Sequence, residues 1–263
     1  MSKKTKKILG YTIFTIFITI VATVTLVIVG NTIYIQRVYL AAQKEYDELR
    51  EIKSSRIEIV KRVEIDEETA TFSLSDAAAT DDIFSNIDIS GSMRSSVEEL
   101  SEINPDFIGW IYIEGTRIDY PVVQGVDNKR YMNTTFKGTR SRAGAIFMDV
   151  RNHFGWETPL VVLYGHNSSS GAMFAGLRRE LLGEYIYITT RNDELLLYRI
   201  IDVVRTTVHD SAYQLIGSSE RAVANYLLDY DVPEGSNRML LLSTCTDTNS
   251  DDDRLIVIAV RYG

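Results

Sequence analysis

Cysteine occurs once in the 263 residues, at position 245. A lone thiol makes no internal disulfide, so the fold is not a disulfide scaffold, and Cys245 is either an inert core residue or a nucleophile. Histidine occurs three times, at 153, 166 and 209. Those three and the cysteine repeat no ligand spacing, so no metal module is expected, and no nucleotide or cofactor fingerprint is present. Basic charge is scarce outside the N-terminus. Lys3, Lys4, Lys6 and Lys7 precede the first apolar stretch, and without them 24 basic residues face 36 acidic ones, a balance of −12. An acidic body of this kind argues against nucleic acid as a partner.

Charge of either sign is absent from Ile8 to Ile35, a run of 28 residues. About 20 apolar residues suffice to cross a bilayer. The lysines before the run predict a cytoplasmic N-terminus. A cleaved signal peptide would have a shorter apolar core and a small-residue cleavage site, which Asn31-Thr32-Ile33-Tyr34 does not supply. Residues 1–7 are therefore expected as a cytoplasmic tail and 8–35 as a single-pass membrane anchor. The threonines within it (Thr12, Thr15, Thr19, Thr23, Thr25) can bond back to helix carbonyls. The body then lies outside the cell, where a spare thiol is a liability unless it has a chemical task.

Residues 36–94 are expected to combine a charged juxtamembrane helix, Gln36 to about Ile59, with an acidic spacer of weak periodicity, Glu64 to Ser92. Ser95 followed by Glu98 fits a capping box opening a helix that Asn104-Pro105 ends. Beyond it, β-like runs recur at 107–113, 116–124, 144–148, 160–164, 185–190, 195–204, 238–244 and 255–261. Glu114-Gly115 and Arg191–Glu194 read as turns, and 172–182 and 219–228 as helices. Eight short strands with few helices between them predict a mostly β domain over 95–263, a closed or nearly closed barrel.

A thiol of ordinary pKa, about 8.5, needs a neighbouring base or cation to act as a nucleophile near neutrality. His166 is the favoured base: it leaves the apolar run Leu160–Tyr164 and precedes a Gly/Ser-rich loop, whereas His153 and His209 lie in polar loops. Arg254, nine residues after Cys245, is a candidate oxyanion donor, or else an ordinary partner of Asp251, Asp252 or Asp253. The backbone N–H of Thr246 is a second donor candidate. The loop Asp247–Asp253 begins like an EF-hand but has Asp252 at the glycine position and Ile258 at the glutamate position, so calcium is not expected.

Three segments resemble the sortase family. Leu242-Ser243-Thr244-Cys245 with Arg254 before a Val/Ile strand is similar to the sortase signature. Tyr164-Gly165-His166-Asn167 with Gly171–Leu177 resembles the histidine segment of class B sortases, and Ile103–Ile111 resembles the entry to their barrel. The resemblance spans Ser95–Gly263. It implies an eight-stranded sortase-type barrel with N-terminal helices, and a cysteine transpeptidase on the outer face of a Gram-positive membrane. Such enzymes cleave a C-terminal sorting signal (Asn-Pro-x-Thr-like or related) of a secreted protein after Thr and pass the acyl group to an amine. The resemblance makes Cys245 the nucleophile, His166 the acid/base and Arg254 the oxyanion stabiliser. Asn167 and Ser243 become positioning residues, and Asn128, Met132 and Tyr213 the lining of the signal-peptide groove. It implies a peptidoglycan cross-bridge or pilin amine as acceptor, and no metal or cofactor. No apolar tail follows the last expected strand, so the chain is not expected to carry a sorting signal of its own. An exported protease that only hydrolyses the thioester, or a tethered binding domain with a core cysteine, are the competing readings.

Overall fold

The computed structural model describes residues 3–53, 90–167, 171–245 and 252–262; the side chains of 3–10, 90–95 and 245 are outside that description. The chain divides into two compact units, Met1–Gln43 and Lys44–Gly263.

The first unit is helical, formed by the beginning of α1 (Lys3–Ile52). Among the described residues this is the one helix long and apolar enough to cross a membrane, with a window of mean hydropathy 2.6. Its large apolar side chains, among them Phe14, Phe17 and Leu26, are exposed. Thr15, Thr23 and Thr25 donate to the carbonyls of Tyr11, Thr19 and Val21, four residues back, at 2.8–2.9 Å. The hydroxyls that dilute the apolar run thus expose no unsatisfied donor.

In the second unit, α2 (Ser90–Ile103) precedes β1 (Phe107–Ile113), β2 (Asp119–Val123), β3 (Ile146–Met148), β4 (Leu160–Tyr164), β5 (Tyr185–Thr190) and β6 (Leu195–Thr207). Then come α3 (Ser211–Gln214), α4 (Glu220–Leu227), β7 (Met239–Cys245) and β8 (Asp253–Tyr262). The strands close into a barrel in the order β1-β2-β3-β4-β7-β8-β6-β5. Both expected turns form: Gly115 takes φ +68° between β1 and β2, and Asp193 takes φ +66° between β5 and β6. Ser219 caps α4 by accepting from Ala222 N–H.

Two of the expected helical features are corrected. Residues 172–182 form two 3-10 turns, Phe174–Gly176 and Arg179–Leu181, rather than one helix. Met173, at φ 55° and ψ −125°, breaks the helical path before it starts. Ser95 does not open its helix, because α2 already runs from Ser90. The spacer's last residues, Ser90–Ser92, are therefore helical, and its stretch from 64 to 89 lies outside the described residues.

The continuous apolar character of β4, β7 and β8 has a direct cause. Their alternate residues serve two cores. Val161, Leu163, Leu240, Leu242, Val257 and Ala259 face the main cluster with β1, β2 and β5. Leu160, Val162, Met239, Leu241, Ile256 and Ile258 join a second cluster with Val223 and Leu227 of α4. A strand covered on both faces has no polar face to alternate with.

Candidate active site

The strand register assembles the site. β4 and β7 are parallel neighbours, paired from Leu160↔Met239 to Tyr164↔Ser243. His166 lies two residues past Tyr164 and Cys245 two past Ser243, so both stand at the same end of adjacent strands. Gly165 N–H extends the ladder by donating to the Ser243 carbonyl at 3.2 Å. β8 returns antiparallel and pairs Arg254 with Cys245, while β6 pairs Thr206 with Arg254. Directly opposed residues share a face of the sheet. The register therefore brings the backbone positions of His166, Cys245 and Arg254 to one rim of the barrel. His153 lies in the β3–β4 connection, and His209 follows β6, where Val208 N–H donates to the Asp252 carbonyl at 2.9 Å.

The imidazole of His166 is partly buried, and its Nε2 lies 2.6 Å from the carbonyl oxygen of Met132. A carbonyl only accepts, so Nε2 carries a proton, and the neutral ring keeps its lone pair on Nδ1. Gly144 lies against the same ring. A Cβ there would come within 3.0 Å of His166 Cδ2, and within 2.7 and 2.9 Å of the Tyr131 and Met132 carbonyl oxygens. The chain beyond His166 is folded back on it. Phe174 N–H donates to the His166 carbonyl at 2.9 Å, and Asn167 bridges to Met173. Gly165 has no room for a side chain, since a Cβ would sit 2.7 Å from the Phe174 ring. Met173 is fully buried in a backbone conformation that costs a non-glycine residue about 1–3 kcal/mol.

Ser243 is buried, and its hydroxyl lies 2.6 Å from Tyr213 Oη of α3. Asp210 caps α3 by accepting from Ala212 N–H, and its other oxygen accepts from Thr206 at 2.7 Å. Tyr213 and its helix are thereby tied to β7, which carries Cys245, and to β6, the neighbour of β8. Arg254 is partly exposed and donates to the Asp253 carbonyl at 2.9 Å. The Asn128 side-chain oxygen accepts from Val150 N–H at 2.8 Å, joining its loop to the β3–β4 connection. The Met132 side chain is 44% exposed while its carbonyl holds His166. Thr246 and most of the acidic loop, Asp247–Asp251, lie outside the described residues. Among the described residues no cluster of three His, Cys, Asp or Glu side chains could hold a metal ion.

Sequence reasoning missed two supports. Asp149 is fully buried and accepts from Arg151 Nε and Nη2 at 2.9 and 2.7 Å, from Arg151 N–H at 2.8 Å and from Tyr164 Oη at 2.9 Å. Burial works to raise its pKa, but those donors outweigh it, and the carboxyl sits below the ordinary range. Tyr164, which immediately precedes Gly165-His166, is fixed by that bond. Asn152 is fully buried and stands in for strand backbone. It donates to Leu160 O at 2.7 Å and accepts from Val162 N–H at 2.9 Å, giving β4 the partners that short β3 does not reach. The only signal for either was the Asp-x-Arg-Asn string before the polar loop.

The Sortase domain family model matches residues 111–262. Sortase B of Staphylococcus aureus is 31% identical over 194 residues, covering 64% of this chain and 75% of that protein. Among solved structures, a mutant form of Clostridium perfringens sortase B superposes with a TM-score of 0.60 at 25% identity, over 84% of this chain and 98% of that one. A Streptococcus pyogenes class B sortase involved in pilus biogenesis gives a TM-score of 0.54 at 30% identity, over 63% of this chain and 97% of that one. A match running from within β1 to the end of β8 takes in the barrel and the rim where the three residues meet, and on that ground the chain belongs to class B of the sortase family, the cysteine transpeptidases.

Proposed function

We propose that the protein is a membrane-anchored transpeptidase that joins secreted proteins to a cell-wall cross-bridge amine. The observation that carries this reading is the hold on His166. With Nε2–H given to the Met132 carbonyl, Nδ1 is the nitrogen left to exchange a proton at the rim where the register sets Cys245 opposite Arg254. In the proposed sequence His166 Nδ1 takes the Cys245 thiol proton as the sulfur attacks the Thr carbonyl carbon of a sorting signal. The oxyanion is met by Arg254 and by Thr246 N–H. The tetrahedral adduct collapses with cleavage of the C–N bond, and the proton on His166 Nδ1 passes to the departing amine. The acceptor amine attacks the resulting thioester, returns a proton to His166, and releases Cys245 as the ligated amide forms. Ser243, Asn167, Asn128, Met132 and Tyr213 position these groups and line the groove. The apolar part of α1 is the anchor, its lysine-rich start on the cytoplasmic side and the barrel outside.

A pilin lysine as acceptor is the second reading, favoured by the pilus-associated relative at 30% identity. One experiment separates the outcomes. The detergent-solubilised protein is mixed with a sorting-signal peptide and either a cross-bridge-type amine or a pilin-type lysine peptide, and products are read by mass. Ligation to the cross-bridge amine is expected, and Cys245→Ala abolishes it with an unchanged circular dichroism spectrum. Ligation confined to the lysine peptide supports the second reading. Hydrolysis alone with both acceptors, or full activity of Cys245→Ala, refutes the transpeptidase mechanism.

A further inference from the structure

We infer that the end of α1, from Lys44 to Ile52, is a working support of the active site, with Tyr46 a positioning residue that holds the loop 131–145 against the imidazole of His166. Sequence reasoning gave this helix no task beyond leading away from the membrane. In the structure it is built into the barrel unit. Tyr46 and Leu49 are buried in the main core, and the Tyr46 ring stands edge-on to Tyr120 with centroids 5.2 Å apart. The Tyr46 hydroxyl donates to the Gly144 carbonyl at 2.7 Å and accepts from Phe136 N–H at 3.3 Å. Its neighbour Glu45, also buried, accepts from the Thr135 hydroxyl at 2.9 Å and from Lys137 N–H at 2.8 Å. With Lys137 Nζ donating to Glu48 at 2.8 Å, the helix grips one loop at five points.

That loop forms the cage of His166. It supplies the Met132 carbonyl that fixes the ring, and Gly144, whose backbone packs on it. Ala145 N–H closes the loop on the Tyr131 carbonyl at 3.0 Å. One residue, Gly144, separates the Tyr46 hydroxyl from the imidazole. Gly144 sits at φ +61° and has no side chain to lock it, so the bond from Tyr46 to its carbonyl acts as an external restraint on a flexible hinge. Burial, and the carboxylate of Glu45, push the Tyr46 pKa far above its ordinary value, which keeps the hydroxyl a donor. Losing it strands a carbonyl and an N–H in the interior, and the loop recovers partners only by moving.

This inference rests on His166 acting as the acid/base of the proposed reaction. The test compares full-length wild type, Tyr46→Phe and a control, Val223→Ala, which removes buried volume from the second cluster. Tyr46→Phe is expected to lower kcat for sorting-peptide cleavage about 3- to 10-fold with KM unchanged, the size of one net hydrogen bond. Nitrogen-15 spectra of the histidines are expected to show the Nε2–H tautomer of neutral His166 losing population. Val223→Ala is expected to lower Tm yet keep wild-type kcat and tautomer. If Tyr46→Phe lowers Tm while kcat and the tautomer stay at wild-type values, the residue is only structural and the inference fails. Should Tyr46→Phe not fold, Glu45→Gln weakens the same grip and is judged by the same two readouts. A wild-type protein that cleaves no sorting peptide refutes the proposed function instead, and the tautomer comparison still decides the positioning role.

Discussion

Replacing Gly144 with alanine tests the cage around His166 in the most quantitative way. The new Cβ would lie 2.7 and 2.9 Å from two backbone carbonyl oxygens and 3.0 Å from the imidazole. Ordinary contact needs about 3.5 Å, so loop and ring must separate by about 0.5–0.8 Å. The Met132 carbonyl to Nε2 contact, now 2.6 Å, would then lengthen to about 3.1–3.4 Å, at or beyond the long end of the hydrogen-bond range of about 2.7–3.2 Å. Gly138 is the internal control. It lies in the same loop at φ +85° with nothing within 4 Å of a Cβ, so alanine there meets only the backbone penalty of about 1–2 kcal/mol. Gly144→Ala adds overpacking of about 1–3 kcal/mol. At about 2–4 °C per kcal/mol for a unit of this size, Tm should fall about 2–12 °C further for Gly144→Ala than for Gly138→Ala. Misplacement approaching 1 Å costs up to about 100-fold in rate, so kcat should drop about 10- to 100-fold for Gly144→Ala alone. Thermal unfolding and peptide cleavage, assayed well below both Tm values, check this. Equal Tm and equal kcat for the two variants would refute the packing argument.

Two further outcomes follow from the same geometry. Arg254→Lys keeps the charge but loses the planar fork, and should lower kcat/KM about 100-fold without lowering Tm; near-wild-type turnover would remove Arg254 from the oxyanion role. Asp149→Asn should destabilise by about 1–3 kcal/mol at neutral pH by loosening Arg151 and Tyr164. Because the folded state lowers the Asp149 pKa, its contribution is complete above the ordinary aspartate value of about 3.9 and is lost as pH falls through the lowered value, so the Tm gap between wild type and variant should close below about pH 4. A gap independent of pH would contradict that linkage.

Much of the site was legible because its chemistry is local. A single cysteine leaves one thiol nucleophile to consider, and the charge-free run at 8–35 is long enough to cross a membrane. Strand positions were legible because runs such as 107–113, 160–164 and 185–190 are bounded by turn residues, and the structure reproduces these three without a shift. The expected helix at 172–182 failed because Met173 is held by tertiary contacts in a conformation that periodicity does not report.

The sequence by itself determined the candidate nucleophile, base and cation, the long apolar helix and the mostly β character, since each depends on residue type and short-range pattern. Tertiary structure alone decided which histidine nitrogen is open, because that depends on a carbonyl 34 positions away. It also decided that Tyr46 reaches the loop around His166 across 98 positions. Backbone carbonyls carry no signature in a sequence, and every residue has one. Only the closure of the barrel and the docking of a helix against it select which of them will hold the His166 ring.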